Sequence, residues 1–226
     1  MSLMLFLGLA LIPAGLLLRQ KRIRARERFI DGYAFPQRLR RKLAEHYPHL
    51  SDQQTAHALL GLRQYFQLCR QARRRMVAMP SQAVDVLWHE FILHTRQYQQ
   101  FCSQGIGRFL HHVPSEAMTS PTVAQEGIRR AWRLACAQEG IAPKTPQRLP
   151  LLFALDAELA IADGFHYSLN CTDGKNGRGD AYCAGHIGCS SGCGGGCGGS
   201  SSGDSGTDGG GDSGGGCGGG CGGGGD

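Results

Sequence analysis

No run of this chain alternates apolar and polar side chains at the two-residue period of a half-buried strand, so helices must build its core. No G-x-S-x-G elbow, phosphate loop or strand-to-helix dinucleotide fingerprint occurs, which leaves the common nucleophile and nucleotide enzymes unsupported. Aromatic residues are sparse, at 8 %, and do not interleave with the arginine runs Arg73, Arg74, Arg75 and Arg129, Arg130, Arg133. A surface that stacks nucleic-acid bases wants that interleaving, so no nucleic-acid partner is expected and the runs read as solvated helix faces. Glycine is rare before residue 168: 26 of the 35 glycines lie in 168–226, which has almost no large apolar side chains. Such a stretch cannot bury enough surface to offset backbone entropy, and the expectation is a disordered Gly/Cys-rich tail.

What the chain does have is helical period. Ser51 and Gln54 stand at capping-box spacing, and Leu59, Leu62, Phe66, Cys69, Met76 and Val77 follow on one face, predicting a helix over 51–78 that Pro80 ends. Ser81 caps the next, whose stripe runs through Val84, Leu87, Trp88, Phe91, Ile92, Tyr98, Phe101 and Cys102 to a stop at Gly105. Ser120-Pro121 opens a helix through Ile128, Trp132 and Ala135 that Gly140 closes. Further helices are expected over 36–46 and 150–162. The fold class is therefore an all-α bundle.

Residues 3–18 carry no charge, and Arg19, Lys21, Arg22, Arg24, Arg26 and Arg28 follow against Glu27 alone. A spanning helix needs about 20 apolar residues, with a lower limit near 17. Snorkelling Arg19 and Lys21 lengthen this run, and no small-residue cleavage pattern precedes the cations. The expectation is a single transmembrane helix in the inner (cell) membrane, with the amino terminus outside and the body cytoplasmic. The membrane is then a partner through this helix, alongside an unidentified protein partner. Net charge splits in the same sense, +10 over 1–167 and −4 over 168–226, because cations gather beside an anionic leaflet. The divisions read as 1–18 anchor, 19–28 basic juxtamembrane segment, 29–167 helical domain and 168–226 tail.

One block is richer in chemistry than the rest. Residues 80–114 hold Asp85, His89, His94, His111 and His112 around Trp88. Asp85 and His89 are four apart, one face of a helix, so a carboxylate can hold an imidazole. That is equally a plain structural Asp–His pair. His89 and His94 are five apart and diverge. His89-Glu90 starts like H-E-x-x-H, but position 93 is Leu, so the zinc-protease motif fails. If His111 or His112 folds back, Asp85, His89 and that histidine make an open zinc site.

The pattern Asp85, Trp88-His89, Leu93-His94, Tyr98 and Phe101-Cys102 resembles the conserved block of the glycine-rich domain-containing protein-like family. Phe91 stands where its plant members have a second histidine, and Thr95 where they have proline. The resemblance covers 80–115 and the style of the tail, and implies no catalytic residue.

Ten cysteines divide unevenly, seven of them at 171–221. Cys69, Cys102 and Cys136 fall on helical faces and read as small core residues. Cys183, His186, Cys189 and Cys193 are the tightest set of soft donors, and their spacing permits a second zinc site. The function expected from these features is an interaction or scaffold module. The alternative is a metal-binding protein or metal-dependent enzyme using Asp85, His89, His111 and His112, or the tail cysteines.

Overall fold

The computed structural model describes residues 2–112, 121–169, 182–183 and 187. The chain divides into two compact units, Met1–Gly192 and Cys193–Asp226, and the described residues all belong to the first. Among them the helices are α1 Ser2–Gly32, α2 Gln37–His46, α3 Asp52–Ala72, α4 Gln82–Leu93, α5 Thr95–Phe101, α6 Pro121–Glu139 and α7 Leu151–Glu158. A π-helical turn, Cys102–Ile106, prolongs α5. Two-residue strands β1 Tyr167–Ser168 and β2 Tyr182–Cys183 pair in parallel. Strands this short leave no period in the sequence. Apart from that pair the architecture is all-α, as the periodicity implies.

The middle helix is α3, in contact with α1, α2, α4, α6, α7 and the π turn. Its start is the expected capping box: Gln54 N–H donates to Ser51 Oγ at 3.2 Å, and Ser51 N–H to Gln54 Oε1 at 2.9 Å. Its end comes earlier than expected. The chain leaves the helix at Arg73, with φ 57°, so Met76 and Val77 belong to the connection to α4. Val77 still reaches the core, and Tyr65 Oη donates to its carbonyl at 2.9 Å.

The single helix predicted over 81–105 is broken. At His94 the backbone turns to ψ 59°, which separates α4 from α5. The break lets Phe91, Tyr98 and Phe101 all face the core, where Phe35, Phe66 and Tyr33 meet them. Gly105 is not the stop. It lies under α1, where an added Cβ would stand 2.9 Å from Ile30 Cγ1, so glycine permits a close helix crossing there. Gly107, at φ +83°, ends the π turn instead, and its N–H donates to the Cys102 carbonyl at 2.7 Å.

The transmembrane expectation is overturned. Among the described residues no helix is long and apolar enough to cross a membrane. The uncharged run 3–18 has sixteen residues, below the lower limit for hydrocarbon, and the same helix continues through exposed cations into the bundle. There Ile30 is fully buried, and Arg63 donates to the carbonyls of Ile30, Asp31 and Tyr33, satisfying the end of α1. The single-pass placement in the cell membrane, with its outside and cytoplasmic assignments, falls with the span. The expectation of a disordered tail over 168–226 lies mostly outside the described residues. Ile187, within that stretch, packs against the core.

Candidate metal centre

Helix α4 carries the candidate site, and its start is held firmly. Ser81 Oγ accepts from Val84 N–H at 3.3 Å and donates to Asp156 Oδ1 at 2.6 Å. Asp156, on α7, also accepts from the N–H groups of Gln82 at 2.7 Å, Ala83 at 3.3 Å and Phe165 at 2.9 Å. A carboxylate at a helix N-terminus satisfies orphan donors and complements the helix dipole. About two turns further along α4, Glu90 is buried and accepts from Arg38 Nε at 2.5 Å, with His94 Nε2 at 3.9 Å. These two acids fix α4 against α7 and α2, so Asp85 and His89 stand on a rigid rod.

The rest of the site arrives from Gly107 onward. Residues 109–112 run back over Trp88 with neither helix nor turn. Tyr98 Oη accepts from Trp88 Nε1 at 3.1 Å and donates to the Leu110 carbonyl at 2.5 Å. Arg108 Nε donates to the Arg73 carbonyl at 2.7 Å. The His112 ring then lies 4.5 Å from that of Trp88 and 4.1 Å from that of His89, centroid to centroid.

Asp85, His89 and His112 form a closed triangle. His112 Nε2 is 3.0 Å from Asp85 Oδ1, His89 Nδ1 is 3.5 Å from Asp85 Oδ2, and His89 Nε2 is 3.4 Å from His112 Nδ1. Two of those sides are within hydrogen-bond distance, His112 to Asp85 and His89 to His112, and the third is an ion-pair contact. A cation among the three would take a lone pair from each residue. One donor atom from each residue lies within 4.8 Å of the others. Tetrahedral ligands of zinc at about 2.1 Å lie roughly 3.4 Å apart. His89, with 53 % of its side chain exposed, can close the difference by a χ rotation.

His111 does not join them. Its ring meets that of Phe109 edge-on at 4.8 Å, on the outer side of the segment. His94 is committed to Glu90. Cys183 lies in β2, and His186, Cys189 and Cys193 lie outside the described residues. Cys69, Cys102 and Cys136 are buried free thiols, and burial pushes Cys69 up to about 12 and Cys136 up to about 11. Thiols so held are neutral and poor nucleophiles. A cleft of about 640 Å³ beside α3 is lined in part by Glu27, Asp31, Gln67 and Glu139. Its acids are already matched, Glu27 to Arg70 at 3.5 Å, Asp31 to Gln67 at 2.7 Å and Glu139 to Arg148, so it reads as a packing seam.

Sequence reasoning found Asp85, His89 and the returning histidine but missed the two carboxylates that brace them. Asp156 left a signal: it is an acid inside the apolar run 150–162.

The UCP032817-like family model matches residues 25–187. The chain belongs to that family. The matched stretch begins within α1 and contains α2 to α7, both strands and the whole triangle. No curated protein and no solved structure matches the chain.

Proposed function

We propose that this is a metal-binding helical protein whose ion, zinc by the donor set, is held by Asp85, His89 and His112. The reading rests on one observation: two segments 23 residues apart bring two imidazoles and a carboxylate together, with a donor atom of each within 4.8 Å of the others. Zinc takes such nitrogen and oxygen donors, and three protein ligands leave a position open. Asp85 would supply the oxygen donor and His89 and His112 the nitrogen donors to such an ion. The block that resembles the glycine-rich domain-containing family, with its Asp85, Trp88 and His89, supplies two of the three ligands.

An interaction role is supported by one further feature of the same face. Leu93, one helical turn beyond His89, is 70 % exposed. A metal centre beside an uncovered leucine fits docking better than turnover of an enclosed substrate.

Metal content of purified full-length protein tests the reading. The chain should carry one more zinc than its His89→Ala variant, whatever the tail cysteines hold in both. Equal zinc in the two proteins contradicts it.

A further inference from the structure

Exposure alternates along 109–112. Phe109 is 44 % exposed, Leu110 is 7 % exposed, His111 is exposed, and His112 is turned inward against Trp88. That is the pattern of an extended chain, in which consecutive side chains point to opposite sides. The 4.8 Å contact between the Phe109 and His111 rings puts both on the outer side. His111 and His112 are adjacent, with Cα atoms about 3.8 Å apart, yet the alternation sends one into the site and the other away from it. No χ rotation brings His111 into its own triangle without turning the segment over, which would break the Tyr98–Leu110 hydrogen bond and expose Leu110.

The triangle meanwhile is one ligand short of a tetrahedron, and His89 leaves it open to solvent. His111 is a zinc ligand of the right chemistry, next in the chain to His112 and exposed, and its ring nitrogens make no hydrogen bond among the described residues. A ligand that cannot serve its own chain can serve another. Under a two-fold axis the arrangement is self-complementary: each copy offers an incomplete site and an outward imidazole.

We infer that two copies of this chain close on each other at this face, each zinc being held by Asp85, His89 and His112 of one copy and by His111 of the second. The interface covers the exposed Leu93 and Phe109, whose apolar side chains add burial to the metal bonds. The inference rests on the metal reading above and adds its partner and its fourth ligand. Association depends on zinc, because two imidazole-bearing surfaces have no cation between them without it.

The test uses full-length protein, with mass by light scattering and zinc content measured together as zinc is added. Wild type should double in mass as the ion specific to this site binds, counted as the excess over His89→Ala. His111→Ala should keep that excess ion, more weakly held, and stay monomeric. His89→Ala should lose both the ion and the association. An equal mixture of the two variants should form mixed dimers with one specific ion per pair, since one chain brings the triangle and the other brings His111. Wild type that gains the excess ion and stays monomeric overturns the dimer and leaves the metal site standing, as does a His111→Ala variant that still dimerises or a mixture that stays monomeric. Wild type with no excess ion overturns both.

Discussion

Two carboxylates on or beside α4 make opposite use of the same chemistry. Asp156 is buried and accepts four hydrogen bonds, from Ser81, Gln82, Ala83 and Phe165. Its lone pairs are filled by donors that cannot leave. Asp85, one turn along α4, is partly exposed and faces two imidazoles, at 3.0 and 3.5 Å. Saturation marks a structural acid, and a carboxylate with room for a further partner in a solvent-facing cluster is what the proposed ligand site requires. Both carboxylates sit in apolar helical surroundings, so only their partners tell them apart.

Substitutions can break that comparison from either side. The largest effect belongs to the platform under the site. Trp88→Ala should destabilise the body by about 3–5 kcal/mol, the usual cost of removing a large buried aromatic, because Tyr65, Phe66, Tyr98 and His112 all pack on its ring. Denaturant unfolding measures it, and an unchanged midpoint would place Trp88 at the surface. Asp156→Ala comes next, at about 3 kcal/mol, since it strands several donors at the start of α4. The same unfolding curve measures this loss, and zinc content of the still-folded fraction should equal that of wild type.

Asp85→Ala and His89→Ala should behave differently. Without metal each should shift stability by under about 1 kcal/mol, as expected at partly exposed positions. With zinc at a hundred times its dissociation constant, wild type should gain about 2.7 kcal/mol that neither variant shows. Thermal melts with and without zinc measure the difference. A variant that loses as much as Asp156→Ala in metal-free buffer would turn the triangle into another structural tie.

Much of this was legible from residue spacing. Ser51 with Gln54, the four-residue interval from Asp85 to His89, and Trp88 on an apolar stripe are local patterns, and local patterns survive into the fold. His94 was not legible as a break, because its stripe continues on both sides and only the meeting of Phe91 and Phe101 with Phe35 and Phe66 decides the bend. Gly105 read as a helix stop, and the reason for glycine there is instead the approach of Ile30 from 75 residues earlier. The run 3–18 read as an anchor from its hydropathy and the cations that follow it. Its length falls short, and the helix it opens ends inside the bundle. His112 was one of two candidates, and the alternation of 109–112 chose between them once Leu110 was seen to face inward.

The smallest effect concerns the thiols. Burial raises Cys69 to about 12 from its ordinary 9, so the neutral thiol is the form the fold favours. Its contribution to stability is intact below about pH 9, where the unfolded thiol is also neutral, and is lost as pH rises toward 12. Cys69 and Cys136 should therefore resist alkylation at pH 8 in native protein and react on unfolding. Rapid labelling of either at pH 8 would show the core opening there. Mass spectrometry of alkylated peptides reads the result.

The central claim is that Asp85, His89 and His112 hold a metal, and X-ray absorption at the zinc edge tests it most directly. Full-length protein with its accessible thiols alkylated would receive one equivalent of zinc. The account predicts a shell of nitrogen and oxygen at about 2.0–2.1 Å with the outer scattering of imidazole rings, and its disappearance in His89→Ala. A shell of water oxygens alone, the same in wild type and variant, would contradict it.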